Sequence, residues 1–454
     1  MRLGMIGSGY VGLVSGACFA EFGIEVVCVD KNETKVNSLK EGKIPIYEPG
    51  LEDLVHKQRE AGRLSFTTKL EEAVAGSDAV FIAVGTPSRR HDGGADLSHV
   101  FEAAREIARL SEGYQLVVTK STVPVGTARK VREVLQQTNP NVEFDVCSNP
   151  EFLREGAAIN DFMRPDRVVI GADTERAVEV MRKLYRPLYI NETPMLITTL
   201  ETAEIVKYAS NAFLATKITF INEIANLCEK TNANVQDVAR GMGFDGRIGS
   251  KFLHAGPGFG GSCFPKDTKA LAQIGKDYNC PQNIVETVIT VNENRQKMLA
   301  RRIIEACGNS LENKKIGILG LSFKPNTDDV RDAPSLVIIP ELQKAGAEIA
   351  AYDPAAMEQA AKIFDSDIEW CEGPYDVAEN AHALVILTEW NEFRSLNLSK
   401  LAQIMAEKRL IDLRNVYKTA EVNEYGFHYI SVGRPELVPA GRDLKVAGTG
   451  TGGY

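Results

Sequence analysis

Apolar and polar positions along this chain follow two similar rhythms separated by one long helical block. Residues 2–6 form a short apolar run, and EVVCVD (25–30), AVFIAV (79–84) and LVVTKS (116–121) repeat it. Each run is brief, apolar and close to turn-forming residues, which predicts buried strands. Stretches such as 97–110 and 126–137 lie between or after them and have helical composition. This alternation predicts an α/β fold, a doubly wound parallel sheet with helices on both faces. The texture changes near Leu200. Residues 201–231 contain no proline or glycine, which predicts a helix well above average length, of the kind that bridges domains or builds a subunit interface. A second α/β rhythm starts at KKIGILGLSF (314–323) and continues through AEIAAYDP (347–354), ALVILTEW (383–390) and RLIDLRN (409–415). The expectation is two Rossmann-like, doubly wound domains joined by a long central helix. Their bounds are 1–200, 201–300 for the central helical part, and 301–434. The glycine- and threonine-rich residues 435–454 form an expected flexible tail.

Composition narrows the function classes. The chain has 454 residues, 44% hydrophobic and 25% charged, as expected of a multidomain globular protein. Its net charge of −9 weighs against general binding to nucleic acid or a membrane surface. No apolar run is long enough to span a membrane, and MRLGMIGSGYVG at the start has no signal-peptide layout. The eight cysteines are scattered, without paired metal-ligand spacing, so no metal is expected. A reducing cytoplasm is the simplest setting.

GSGYVG (7–12) matches G-x-G-x-x-G between a strand and a helix. Gly7 permits the tight turn, Gly9 lets a pyrophosphate approach the backbone, and Gly12 allows close packing of helix on strand, with Tyr10 and Val11 opening the helix. Asp30 ends the second strand, where a carboxylate bonds ribose hydroxyls and repels a 2′-phosphate, favouring NAD over NADP. Lys35, one turn beyond, fits either the adenosine side or a solvated surface. Thr86 (in GTP, 85–87) and Ser121 and Thr122 (in STV, 121–123) stand at strand ends where ligands bind in such sheets; ordinary turns account for them equally.

The stretch GPGFGGSCFPKD (256–267) places Cys263 after a glycine-rich approach, with Lys266 and Asp267 one turn on. A thiol at a helix start beside a lysine is expected to ionise below the free value of about 8.5 and to act as a nucleophile. Beside a hydride acceptor, it points to oxidation through a thioester to the acid level. Lys207 and Asn211 share one face of the long helix; their spacing fits either a buried catalytic lysine or an exposed one. Glu151 and Glu155 in NPEFLREG (149–156), four apart, fit a site or a helix surface. Lys324, Arg331 and Arg414 fit a phosphate clamp or scattered surface charge.

These segments, with YEPGL (47–51), STVPVGT (121–127), KYASNAFLATKITFINE (207–223), GRIGSKFLHAGPGFGGSCFPKD (246–267) and FKPNTDDVRDAPS (323–335), resemble the nucleotide-sugar dehydrogenases. The resemblance covers nearly the whole chain. Phe264 in SCFPKD, PDRVVIG (165–171) and RIGSKFL (247–253) favour the branch acting on UDP-glucose over that acting on GDP-mannose. It implies two Rossmann-like domains, a homodimer built through the central helix, and NAD-dependent four-electron oxidation of UDP-glucose at C6 to UDP-glucuronate, a nucleotide-sugar reaction that feeds polysaccharide synthesis. By the same resemblance, Cys263 is the nucleophile carrying a thiohemiacetal and then a thioester. Lys207 stabilises the oxyanion with Asn211 as its partner, Asp267 and Thr122 hold a water, and Glu151 is an acid/base. The implied NAD contacts include Asp30, Lys35, Thr86, Ser121, Thr122, Glu155, Lys266 and Arg331. The implied substrate contacts are Glu151, Phe152, Leu153, Arg154, Glu155, Lys207, Asn211, Phe252, Leu253, His254, Ala255, Gly256, Gly260, Phe323, Lys324 and Arg414, with Arg247 lent by a neighbouring subunit. His254 stands where some relatives carry lysine, which leaves the detail of that loop open. The competing readings are a dehydrogenase of another nucleotide sugar (GDP-mannose or a UDP-N-acetylhexosamine), a non-catalytic nucleotide-sugar sensor, and a two-electron hydroxyacid dehydrogenase. The last two leave Cys263 without a purpose.

Overall fold

A computed structural model describes residues 1–89, 91–364 and 367–438. These residues form two compact units. The first comprises Met1–Thr216, Gly260–Val291 and Asn326–Asp328; the second comprises Lys217–Phe259, Asn292–Pro325 and the chain from Asp329 onward.

In the first unit, eight strands form one sheet: β1 (Arg2–Ile6), β2 (Glu25–Val29), β3 (Leu64–Thr67), β4 (Ala79–Ile82), β5 (Gln115–Thr119), β6 (Phe144–Ser148), β7 (Val168–Ala172) and β8 (Met195–Thr198). Their order is β3-β2-β1-β4-β5-β6-β7-β8. All neighbours are parallel except β6 and β7, which run antiparallel. The expected all-parallel sheet therefore gains a reversed pair at one side. The central strands are buried on both faces, as the continuous apolar runs required. On one face, the Tyr10–Glu21 helix packs among Phe19, Phe81, Phe162 and Tyr185, with Phe19 ring centroids 4.9–5.5 Å from the other three.

The second unit has six strands: β9 (Lys314–Leu319), β10 (Ala347–Tyr352), β11 (Ile368–Trp370), β12 (Ala383–Ile386), β13 (Arg409–Asp412) and β14 (His428–Ser431). Their order, β11-β10-β9-β12-β13-β14, repeats the order of the first six strands of the other unit. All of these neighbours are parallel. Both units are thus doubly wound α/β, with the order reversing beside the first strand of each, where such folds bind ligands.

The long helix spans Leu200–Thr231. It begins where Thr199 Oγ1 accepts the Thr202 amide at 3.2 Å and ends at Asn232, whose φ of 57° terminates the helical winding. Ile205, Phe213, Phe220 and Leu227 recur along it every seven or eight residues and are exposed. Leu437 pairs with Tyr429 through two backbone hydrogen bonds; residues 439–454, the rest of the expected flexible tail, lie outside the described residues.

Candidate active site

Three chain segments of the first unit bring a thiol, a lysine and three carboxylates together. The loop after β6 supplies Glu151 and Glu155, the long helix supplies Lys207 and Asn211, and the start of the Phe264–Asp277 helix supplies Cys263 and Asp267. Lys207 Nζ lies 3.0 Å from Glu151 Oε1, and both side chains are almost fully buried. Burial alone would discharge both groups. Each holds the other ionised, so the Glu151 carboxyl stays below its ordinary range and the Lys207 ammonium above its own. The ammonium also lies 5.3 Å from the Phe152 ring centroid. One turn along, Asn211 Nδ2 donates to Asp267 Oδ2 at 2.6 Å. Lys266 Nζ donates to Asp267 Oδ1, also at 2.6 Å.

Cys263 occupies the N-cap position of its helix, with Pro265 in the first turn. The expected depression of its pKa is not what the folded chain provides. Burial pushes the thiol up; Lys207 pulls it down, but Glu151 and Asp267 reinforce the rise. A helix start beside a lysine was visible in the sequence. The burial and the approach of Glu151 from a distant segment were not.

Several groups that support this cluster escaped sequence reasoning. Lys120 is buried and donates to Asn149 Oδ1 at 3.1 Å and Tyr185 Oη at 3.3 Å. Burial pushes its ammonium down to about 8 despite the Glu151 carboxylate. Tyr185 Oη in turn donates to Asn149 Oδ1 at 2.7 Å, so the aromatic core fixes the turn leading into Glu151. Its only sequence signal was a lysine ending an apolar strand. Glu204, buried one turn before Lys207, accepts the Gly126 and Ala128 amides at 2.7 Å each. It thereby caps the Thr127–Thr138 helix and holds the turn that follows Thr122; burial pushes its carboxyl up to about 7. Glu48, in YEPGL, accepts the Gly156 and Ala158 amides at 2.6 and 2.8 Å and the Tyr10 hydroxyl.

Of the expected dinucleotide residues, Gly7, Gly9, Asp30 and Lys35 come together at the carboxyl ends of β1, β2 and β4. A cleft of about 580 Å³ there is lined by Gly7, Gly9, Asp30, Lys35, Val84 and Gly85 among others. Thr86, Ser121, Thr122, Glu155, Lys266 and Arg331 do not line this cleft. Asp30 Oδ2 accepts the Ser8 amide at 3.1 Å and Lys35 Nζ at 2.7 Å, and Oδ1 accepts the Asn32 amide at 3.0 Å. Burial would raise the Asp30 carboxyl, but these donors outweigh it and hold it below the ordinary value. A Cβ at Gly12 would meet the Gly7 carbonyl oxygen at 1.8 Å, whereas one at Gly9 would meet no protein atom within 4 Å. Gly9 thus leaves backbone open to the cleft, and these residues fit a dinucleotide pyrophosphate and ribose. Thr86 Oγ1 donates to the Thr122 carbonyl at 3.0 Å, and Ser121 Oγ to the Val84 carbonyl at 2.7 Å; both tie strand ends together.

In the second unit, Arg414 Nη2 donates to the Phe323 carbonyl at 2.8 Å, and a Cβ at Gly256 would lie 3.5 Å from Arg414 Nη1. The Phe252–Gly256 loop therefore runs beside Arg414 and Phe323. The loop is fixed by the Gly256 amide donating to Asn222 Oδ1 at 2.9 Å and by Arg295 Nε donating to the Gly256 carbonyl at 2.6 Å. Lys324 Nζ lies 5.4 Å from the Phe323 ring centroid. Arg331 pairs with Asp329 at 2.8 Å. Arg154, in the first unit, turns to Asp161. Arg247 is 90% exposed and folds back on Asp245. No helix among the described residues is long and apolar enough to cross a membrane.

Comparison with known proteins covers these same segments. Three models of the UDP-glucose/GDP-mannose dehydrogenase family match: the NAD binding domain over residues 1–189, the central domain over 201–294 and the UDP binding domain over 317–419. The chain is 58% identical over 438 residues to the UDP-glucose 6-dehydrogenase of Rhizobium meliloti (strain 1021), covering 96% of this chain and 100% of that protein. It is 48% identical to the UDP-glucose 6-dehydrogenase TuaD of Bacillus subtilis (strain 168), covering 96% and 94%. Among solved structures, a UDP-glucose dehydrogenase from Pyrobaculum islandicum matches with a TM-score of 0.87 and 40% identity, covering 95% and 96%. A UDP-D-ManNAc dehydrogenase from Pyrococcus horikoshii matches with a TM-score of 0.83 and 27% identity, covering 96% and 100%.

Proposed function

The chain belongs to the UDP-glucose/GDP-mannose dehydrogenase family, and from that premise we propose that it oxidises UDP-glucose at C6 to UDP-glucuronate with NAD, in two successive oxidations at one site. The observation that carries the reading is the half-buried Cys263 beside the buried Lys207, Glu151 and Asp267 in a chain much more similar to enzymes of UDP-glucose than to those of other nucleotide sugars.

Bound NAD supplies the hydride acceptor, held by the Gly7–Gly12 turn, Asp30 and Lys35. The rest of the chemistry falls to this chain's side chains. Lys207, charged and pinned by Glu151, stabilises negative charge developing on the sugar oxygen, where a fixed donor in a dry site is worth several kcal/mol. Cys263 Sγ bonds to C6 of the aldehyde, giving a thiohemiacetal whose oxidation leaves a thioester. Asp267, oriented by Asn211 and Lys266, and Thr122 position the hydrolytic water, and Glu151 exchanges protons as the thioester opens. Covalent attachment keeps the aldehyde bound between the two oxidations.

Residues 1–200 form the NAD-binding domain in this reading, 201–300 the central helical domain and 301–434 the UDP-sugar domain. The UDP-sugar contacts in this reading are Glu151–Glu155, Lys207, Asn211, Phe252–Gly256, Gly260, Phe323, Lys324 and Arg414, and Arg331 is an NAD contact. A homodimer through the long helix is supported by its exposed Ile205, Phe213, Phe220 and Leu227 stripe. It would allow the exposed Arg247 to serve a neighbouring site. A cytoplasmic setting is supported by eight free cysteines.

A panel of UDP-glucose, GDP-mannose and UDP-N-acetylhexosamines, read by NADH formation, tests the substrate. UDP-glucose should dominate kcat/KM; a preference for another sugar would overturn that assignment. Cys263→Ser should stall acid formation, and wild-type turnover by this variant would remove the thiol from the mechanism.

A further inference from the structure

Burial pushes the Cys263 thiol up from its ordinary value, yet only a thiolate attacks efficiently. The attack therefore needs a destination for the thiol proton, and the side chain next to the cysteine offers one. Ser262 Oγ lies 3.5 Å from Cys263 Sγ and 2.8 Å from Glu155 Oε1. Hydrogen counting fixes the direction of this chain. A serine hydroxyl has one hydrogen and a carboxylate only accepts. The Ser262 hydrogen therefore points to Glu155, its lone pairs face the sulfur, and the thiol is the donor. The other Glu155 oxygen accepts from Thr327 Oγ1 at 3.2 Å, which fixes the plane of the carboxylate.

We propose that Ser262 and Glu155 form a proton relay that takes the thiol proton of Cys263 as its sulfur attacks the aldehyde. The S–H bond breaks and its proton passes to Ser262 Oγ, while the Ser262 hydroxyl proton passes to Glu155 Oε1. The sulfur lone pair forms the bond to the carbonyl carbon, and the π pair of the C=O bond moves onto its oxygen. The transfer relocates a negative charge within the site and creates none, which matters because a new buried charge is costly. Lys207, from the long helix, favours the thiolate. Glu151, from the loop after β6, and Asp267, from the cysteine's own helix, oppose it; Lys266 pairs with Asp267, and Tyr10 lies near Glu155. Neutralising Glu155 removes one negative charge from this crowd as the carbonyl oxygen acquires one. When the thioester hydrolyses, the departing thiolate recovers its proton along the same path.

The relay rests on Cys263 being the nucleophile, and its test uses neither sugar nor NAD, so failure of the relay is separable from failure of the substrate assignment. Alkylation of the full chain by iodoacetamide is followed against pH and resolved by peptide mass spectrometry. An internal base makes the wild-type rate at Cys263 independent of pH between about pH 6 and pH 8, before direct ionisation takes over. Ser262→Ala and Glu155→Gln should abolish this flat region and slow Cys263 by about tenfold or more at pH 7, while Ser262→Thr should keep it. Cys280 is exposed and serves as the internal control, reacting at the same rate in every variant. A wild-type rate that climbs steadily through this range overturns the relay even if no variant folds. So does a flat region that survives in Ser262→Ala.

Discussion

The two sheets share one strand order, and the acid that ends the second strand of each has a different fate. After β2, Asp30 accepts from the Ser8 and Asn32 amides and from Lys35, and it remains only partly buried at the edge of the cleft. After β10, Asp353 sits at the equivalent place at 1% exposure. Its Oδ2 accepts from the Leu321 and Ser322 amides, the Ser322 hydroxyl and Trp390 Nε1 at 2.7–3.2 Å, and its Oδ1 accepts from the Ala355 and Ala356 amides at 2.9 Å. The surrounding turn satisfies Asp353 completely, whereas Asp30 still faces open space. The glycine turns differ in parallel. Gly7 and Gly320 both have φ above 90° and would each put a Cβ within 2.6 Å of another strand end, but only the first turn goes on to an open Gly9. One topology thus yields a dinucleotide cradle in one unit and a self-contained turn in the other. The side chains on the first two loops decide which.

This contrast is most severely tested at Asp353. Asp353→Ala strands six buried donors and should destabilise the fold by about 4 kcal/mol, seen as a lowered urea midpoint; a change within about 0.5 kcal/mol would show that the turn does not depend on the acid. Gly12→Ala should cost about 3 kcal/mol by driving a Cβ into the Gly7 carbonyl, visible in the same denaturation curves. Gly9→Ala, with open space at its Cβ, should leave the urea midpoint nearly unchanged while raising KM for NAD. Asp30→Ala should raise KM for NAD by about tenfold to a hundredfold, as expected for loss of charge-assisted hydrogen bonds, with a smaller effect on stability than Asp353→Ala. The smallest expected effect concerns pH. Because the folded Asp30 carboxyl is held below 3.8, its ionised form persists at and above that pH, and any stability it adds is lost only as pH falls through its lowered folded value. The difference in NAD affinity between wild type and Asp30→Ala should therefore stay constant between about pH 5 and pH 8. Narrowing of that difference within this range would contradict the assignment.

Much of this arrangement was legible in the chain because strong local patterns coincide with it. Apolar runs at 2–6, 25–30, 79–84 and 116–121 became strands, and a block free of proline and glycine became the long helix. Strands β3 and β11, four and three residues long, are too short to leave a period, and the reversal of β7 depends on how the chain returns after Met163. Lys207, Asn211, Cys263 and Asp267 could be nominated one by one from their spacing. Their pairing could not, because Lys207 and Glu151 are brought together across 56 residues by the fold. The same limit explains the thiol. Helix position and Lys266 argue for a low pKa, while the burial that reverses it and the Glu151 carboxylate that adds to the rise come from the folded arrangement. Ser262 carries no signal of its own in the sequence, because Glu155, its hydrogen-bond partner, lies 107 residues away.

The central claim is that one thiol carries a sugar through both oxidations. It is tested most directly by supplying limiting UDP-glucose with excess NAD and counting NADH against products. The account predicts two NADH and one UDP-glucuronate for each UDP-glucose, without free aldehyde. One NADH per sugar with aldehyde released into solution would contradict it.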